Sequence, residues 1–199
     1  YLQAIRKLCD RHDLLLIFDE VQTGMGRTGT LFAYQQLGVT PDIMTAAKAL
    51  GNGLPIGAML TRDDIAVSLG IGTHASTFGG NPVAAAAAVA VMRIMLAEGF
   101  FAGVRERGKY LAQKLAGVAG QYPGLATGVR GNGLLLGLVL TEQGIEHGAK
   151  IVADLFNEGV LINFAGNRVL RFIPPLVVSH ADIDLLIDRL TAVLGRLSV

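Results

Sequence analysis

Apolar residues recur at helical spacing in the opening stretch YLQAIRKLCDRHD, at Leu2, Ile5, Leu8 and Cys9. This predicts an amphipathic helix over 1–12 that is already under way at Tyr1, so the chain is expected to continue from a longer parent. The pattern then changes to LLLIF, residues 14–18, a continuous apolar run of the kind that a strand buried on both faces requires. Residues 30–37 can form a short helix, Gly38 to Pro41 turns the chain, and Asp42-Ile43-Met44-Thr45 opens a short strand that runs into Ala46 to Leu50. The glycines of GNGLPIG force a loop, IGAMLT returns as a strand, and a Gly-containing segment over 69–80 reads as mobile.

Asn81-Pro82 is a helix start, with Asn as cap and Pro at the first helical position, and the alanine-rich stretch to Glu98 favours a long helix ended by Gly99. Helical spacing follows over 101–119, then a strand in GLLLGLVL and a helix near 146–158. Strands at 160–163 and 169–173 and a final amphipathic helix from His180 complete the pattern. Helix and buried strand alternating in the first part predict an α/β fold over residues 1–98. Residues 99–199 read as a small C-terminal α+β domain.

Composition narrows the function classes. Of 199 residues 51% are hydrophobic and 17% charged, enough to bury a sizeable core. A formal net charge of +1, without a polybasic run, gives no reason to expect nucleic acid. The single Cys9 closes no intrachain disulfide, and no purely apolar run reaches the roughly 20 residues that cross a bilayer. With no basic, then apolar, leader at the start, the expectation is a soluble cytoplasmic protein acting on a small molecule and bound to no membrane. His12, His74, His147 and His180 form no ligand-like pair, so no metal is expected.

LLLIFDEVQTGMGRTG, residues 14–29, spells parts of three chemistries. An apolar run ending in Asp19-Glu20 resembles the magnesium-binding strand of a P-loop ATPase, but the nearest G-x-x-x-x-G-K match, Gly103 to Lys109, is followed by Tyr110 where a hydroxyl ligand is needed. It also reads as mid-helix. Gly24 to Gly29 matches the dinucleotide fingerprint G-x-G-x-x-G, yet Asp19 to Thr23 separate it from the strand, and Asp42 stands at the front of its own strand. A flexible turn is the better reading there.

The third chemistry joins Asp19 to Lys48, each at or just past the carboxyl end of a predicted strand, where open α/β sheets bind ligands. Pyridoxal phosphate bonds to a lysine, and a buried aspartate keeps its ring nitrogen protonated. Ala46, Ala47, Ala49 and Leu50 give Lys48 an apolar setting that would lower an amine's pKa. Val21 offers a surface for the ring and Gln22 a hydrogen bond to its phenolic oxygen. Singly, Lys48 reads as a solvated lysine and Asp19 as a strand-end cap.

FDEVQTGMGRTG, PDIMTAAKALGNGLPIGAML, THASTFGGNPVAAAAA and VLRFIPPL, in this order and spacing, resemble the class III, fold-type I pyridoxal-phosphate aminotransferases, most closely the acetylornithine aminotransferases. The resemblance covers nearly the whole chain. It implies the C-terminal half of the family: part of the large, mostly parallel-sheet domain, then the small C-terminal domain. It implies that Lys48 carries the cofactor as a Schiff base and moves the substrate proton, that Asp19 pairs with the ring nitrogen, and that Val21 and Gln22 hold the ring. Thr77 would bind the cofactor phosphate across a homodimer with shared active sites, Ser76 would touch substrate, and Arg171 would grip the substrate α-carboxylate. The phosphate-cradling loop, the stacking aromatic and a second arginine would precede Tyr1, so this chain alone should not hold cofactor tightly.

The activity so implied moves the amino group of N2-acetylornithine to 2-oxoglutarate, a step of arginine biosynthesis. The alternatives are another class III aminotransferase, for ornithine, 4-aminobutyrate or succinyldiaminopimelate, or a non-catalytic dimerisation fragment.

Overall fold

The computed structural model describes residues 1–197, and the chain divides into two compact units, Tyr1–Phe101 and Ala102–Val199. In the first unit, helix α1 (Leu2–Arg11) leads to strand β1 (Ile17–Asp19), which pairs in parallel with β2 (Ile43–Ala46). Strand β3 (Ala58–Thr61) runs antiparallel on the other side of β2, so the sheet order is β1-β2-β3. A short helix α2 (Asp63–Ala66) and helix α3 (Pro82–Met95) follow.

Side chains alternate along a strand, and that alternation corrects the expected burial of LLLIF. Leu16 packs with Cys9 and Val39, and Leu2, Ile5 and Phe18 close around them, so this side of β1 rests on α1. Leu15 and Ile17 face the other way and are 53% and 57% exposed. The run is buried on one side only, because none of the described residues packs over the second face of β1.

Asp42, 6% exposed, ties the unit together. Its Oδ2 accepts from Arg6 Nη1 at 2.7 Å and from the Leu16 amide at 2.8 Å, and its Oδ1 accepts from Arg62. One carboxylate thus links α1, the approach to β1 and the exit of β3. The Leu16 amide and the arginines hold it below the usual carboxylate range, against the opposing effect of burial.

The expected helix over 30–37 is a single 3₁₀ turn, Ala33–Gln36. The predicted start of α3 is observed: Asn81 Oδ1 accepts from the Ala84 amide at 3.0 Å and Pro82 takes the first helical position. The helix stops at Met95, three residues short of the expectation, and Gly99 (φ +81°) turns the chain into α4 (Phe100–Gln121). The G-x-x-x-x-G-K match at Gly103 lies inside α4.

The second unit is an antiparallel sheet of order β4-β5-β7-β6. Strand β4 (Ala126–Asn132), absent from the sequence reading, forms a hairpin with β5 (Leu135–Leu140). Its glycines hide it: Gly131 has φ +121°, and a Cβ there would sit 2.0 Å from the Leu135 carbonyl oxygen. Helix α5 (Glu142–Asn157) begins four residues earlier than expected, because Thr141 caps it by accepting from the Gly144 amide at 3.0 Å. Strand β6 (Asn163–Ala165) begins at the last residue of the expected 160–163, and β7 (Val169–Phe172) pairs between it and β5. Helix α6 (His180–Gly195) opens with a capping box between Ser179 and Asp182. Leu138, Leu170, Ile151, Leu155, Ile183 and Leu190 are fully buried in this unit. Among the described residues no single helix is long and apolar enough to cross a membrane.

Candidate active site

Parallel pairing brings the carboxyl ends of β1 and β2 to one edge of the sheet. Asp19 is the last residue of β1, and Lys48 stands two residues beyond β2. The register opposes Asp19 to Thr45. Asp19 Oδ1 accepts from the Val21 amide at 2.9 Å, which curls the chain into a side-chain-closed turn, and from Thr45 Oγ1 at 3.1 Å. Both donors take the same oxygen. Oδ2 has no protein partner among the described residues.

Asp19 was expected to be buried and is exposed, because it shares the open face of β1 with Leu15 and Ile17. Lys48 is likewise exposed despite its apolar neighbours in sequence. It opens a 3₁₀ turn, Lys48–Leu50, with φ +48°, a left-handed conformation uncommon outside glycine. The turn is closed by the Leu50 amide donating to the Ala47 carbonyl at 2.9 Å. Behind it, a Cβ on Gly51 would meet the Leu54 carbonyl oxygen at 2.2 Å, so the loop that follows Lys48 is tightly folded.

Glu20 points the other way. It is 4% exposed and accepts from Thr23 Oγ1 at 2.6 Å, from the Tyr34 amide at 2.8 Å and from the Ala33 amide at 3.1 Å. Asp19 and Glu20 therefore lie on opposite faces, and the Asp-Glu pair does not converge on one ion. Among the described residues no group of three His, Cys, Asp or Glu side chains is arranged to hold a metal.

Anchored by Glu20, the Gly24–Gly29 loop is packed, which corrects the reading of it as a flexible turn. Met25 is 1% exposed, Thr28 is buried, and the Gly26 amide donates to the Leu31 carbonyl at 3.1 Å. Burial pulls the Arg27 guanidinium down from its ordinary pKa. No α-helix begins at this loop, so its glycines present no helix N-terminus to a pyrophosphate.

Val21 and Gln22 occupy the turn immediately after Asp19, Val21 partly covered and Gln22 exposed. Ser76 and Thr77 lie in a fully exposed stretch before α3, where Ser76 Oγ accepts from the Gly79 amide at 3.0 Å. Ser76 lines an open depression of about 720 Å³ with Pro55, Ile56 and Gly57, so it adjoins the loop that follows Lys48. Thr77 is not among the lining residues. Arg171 belongs to the second unit, on β7, an interior strand. Its Nε donates to Asn163 Oδ1 at 3.0 Å, directly across the β6–β7 register, and the two side chains line a largely apolar cleft of about 640 Å³.

Thr45 and the anchoring role of Glu20 emerge only from the structure. A signal for Thr45 was present in outline, since Asp19 and Thr45 fall at matching positions along the two strands, but pairing them requires the register. Glu20 carried little, because only Thr23 lies near it in sequence, and its other partners, the Ala33 and Tyr34 amides, lie 13 and 14 residues away.

A family model described as aminotransferase class-III matches residues 1–194. Acetylornithine aminotransferase 1 of Bradyrhizobium diazoefficiens is 50% identical over 198 residues, 100% of this chain and 48% of that protein. The acetylornithine aminotransferase of Pseudomonas putida is 48% identical over the same shares of both chains. Among solved structures, N-acetylornithine aminotransferase from Stenotrophomonas maltophilia superposes with a TM-score of 0.87 at 39% identity, covering 98% of this chain and 51% of that one. Ornithine aminotransferase from Plasmodium yoelii superposes with a TM-score of 0.91 at 29% identity, covering 99% and 52%. The α/β fold is thus shared with these aminotransferases, and the chain spans about half the length of the curated relatives it matches.

Proposed function

The chain belongs to the class-III aminotransferases, a pyridoxal-phosphate-dependent family, and from that premise we propose that it is the lysine-bearing half of an acetylornithine aminotransferase. The reaction would move the amino group of N2-acetylornithine to 2-oxoglutarate in a homodimer, as a step of arginine biosynthesis in the cytoplasm. The unit Tyr1–Phe101 corresponds in this reading to part of the cofactor-binding large domain, and the second unit to the small domain.

The parallel pairing of β1 and β2, with Asp19 and Lys48 at one sheet edge, carries the reading. The donor set fits the cofactor. Asp19 keeps one carboxylate oxygen without a partner among the described residues, and Lys48 presents an exposed amine from a backbone conformation that costs on the order of 1–3 kcal/mol. Strain of that kind is tolerated where a side chain has to be aimed. When bound, pyridoxal phosphate supplies an electron sink for the substrate Cα.

Lys48 is assigned the covalent hold on the cofactor and the transfer of the substrate's Cα proton, as base and then acid. Asp19 holds the proton on the ring nitrogen, Val21 packs on the ring and Gln22 donates to its phenolic oxygen. Thr77 holds the phosphate of the partner subunit's cofactor, and Ser76 contacts substrate. Arg171 binds the substrate α-carboxylate through its planar fork of donors, with Asn163 fixing Nε. Exposed Val67, Leu69, Ile71 and Phe78 flank Ser76 and Thr77, which supports burial of this segment against a second subunit.

The test is spectroscopic. The full-length protein is expected to carry a visible cofactor band that borohydride bleaches, with the reduced cofactor mapping to Lys48. A protein with no such band would favour a non-catalytic dimerisation role. Conversion rates of acetylornithine, ornithine, 4-aminobutyrate and succinyldiaminopimelate then identify the donor: ornithine ahead by about tenfold, or about 1.4 kcal/mol, would reassign it.

A further inference from the structure

The two donors on Asp19 come from different elements. The Val21 amide belongs to the turn after β1, and is positioned by the same chain that carries the carboxylate. The Thr45 hydroxyl comes across the sheet from β2, three residues before Lys48. Threonine is β-branched and has few χ1 choices on a strand, so its hydroxyl is aimed by the backbone. The ladder itself locks that backbone: the Glu20 amide donates to the Thr45 carbonyl at 3.0 Å, one step beyond the Asp19–Thr45 pair. Thr45 therefore links the carboxylate to the strand from which Lys48 departs.

Two donors on one oxygen also decide the rotation of the carboxylate. An Asp side chain has a broad, nearly two-fold preference about its last torsion, so an unrestrained carboxylate samples many orientations. Donors at 2.9 and 3.1 Å on Oδ1 remove that freedom and leave Oδ2 alone to meet a ligand. We propose that Thr45 is a positioning residue: its hydroxyl, together with the Val21 amide, occupies Oδ1 of Asp19 so that Oδ2 is presented in one orientation to the cofactor's ring nitrogen. This rests on the assignment of Asp19 above. In this role Thr45 acts only through the carboxylate.

Thr45→Val keeps the shape and strand preference of threonine and removes only the hydroxyl, whereas Thr45→Ser keeps the hydroxyl. In the full-length protein, Thr45→Val is expected to weaken cofactor binding about tenfold, read by absorbance after dialysis against graded pyridoxal phosphate. The pH midpoint of the visible band is expected to move by about half a unit or more, and kcat is expected to fall with little change in KM for the amino donor. Thr45→Ser is expected to restore all three. In an Asp19→Asn background, adding Thr45→Val is expected to cost less than about twofold further in cofactor affinity, because the two residues act as one unit.

Unchanged cofactor affinity and pH midpoint in Thr45→Val would overturn the proposal, as would failure of Thr45→Ser to restore them. A full additional loss in the double variant would overturn it too, by showing that Thr45 acts independently of Asp19. Asp19→Asn on its own tests the underlying assignment: if it retained cofactor and turnover, the site reading itself would fall. A silent Thr45→Val beside a crippled Asp19→Asn would reject Thr45 alone.

Discussion

The two units hold themselves together differently. In the second, both hairpins of the sheet and the helices α4 to α6 supply leucine and isoleucine side chains that leave no surface exposed. In the first, Met25 is the one large side chain among the described residues that is buried to that degree. Leu14, Leu15, Ile17, Met59 and Leu60 remain open on or beside the sheet. Burial of apolar area is the dominant favourable term in folding, so the second unit carries its own core. The first buries fewer large side chains, among them Met25, Phe32, Met44 and Met95, with a small cluster under α1 and the buried Asp42 pairs beside them. The residues with reactive chemistry, Asp19 and Lys48, lie at the open sheet edge. A face that the unit leaves uncovered is one that a cofactor or another part of an enzyme can occupy.

The largest effect expected separates chemistry from stability. Lys48→Ala is expected to lower turnover of the full-length protein by about 10³-fold or more, while leaving its urea unfolding midpoint unchanged. Both quantities can be measured on the same preparation. Next, Leu138→Ala, at 0% exposure in β5, is expected to cost about 2–5 kcal/mol of stability in urea titrations. A cost well below this would break the contrast by showing that the second unit's core is loosely packed.

A smaller effect concerns pH. The folded-state pKa of Asp42 is depressed, so its stabilising contribution is complete above the unfolded value of about 3.9 and is lost as pH falls through the lower folded value. Unfolding midpoints are expected to drop on acidification below about pH 4, and Asp42→Asn should remove that part of the slope. Last, Leu15→Ala on the open face is expected to change the stability of the 199-residue chain by no more than about 0.5 kcal/mol. A loss like that of Leu138→Ala would mean the face is covered, and the contrast between the units would disappear.

Signals confined to a few neighbouring residues were legible in the sequence. Asn81-Pro82 announces α3 because cap and first turn are adjacent, and helical spacing locates α1, α4 and α6. β4 escaped because Gly128 and Gly131 interrupt its pattern, and only the hairpin reveals that Gly131 serves a close approach to the Leu135 carbonyl. The start of α5 escaped because Thr141 was not read as its cap. The apolar content of LLLIF located β1, although only Ile17 and Phe18 of the five residues lie in it, and whether one or both of its faces are covered depends on which strands and helices lie beside it.

The same division runs through the candidate site. Asp19 and Lys48 were singled out from sequence because each stands at a strand's carboxyl end, a property of local pattern, and four ordered motifs joined them to one family. That β1 and β2 are parallel neighbours, that Asp19 faces Thr45, and that Glu20 turns inward to anchor a loop were decided by the tertiary structure alone. Composition and periodicity determine which segments form helices or strands, since those preferences act within a turn or two of chain. Register and burial are set by partners distant in sequence, and so appear only when the strands are paired.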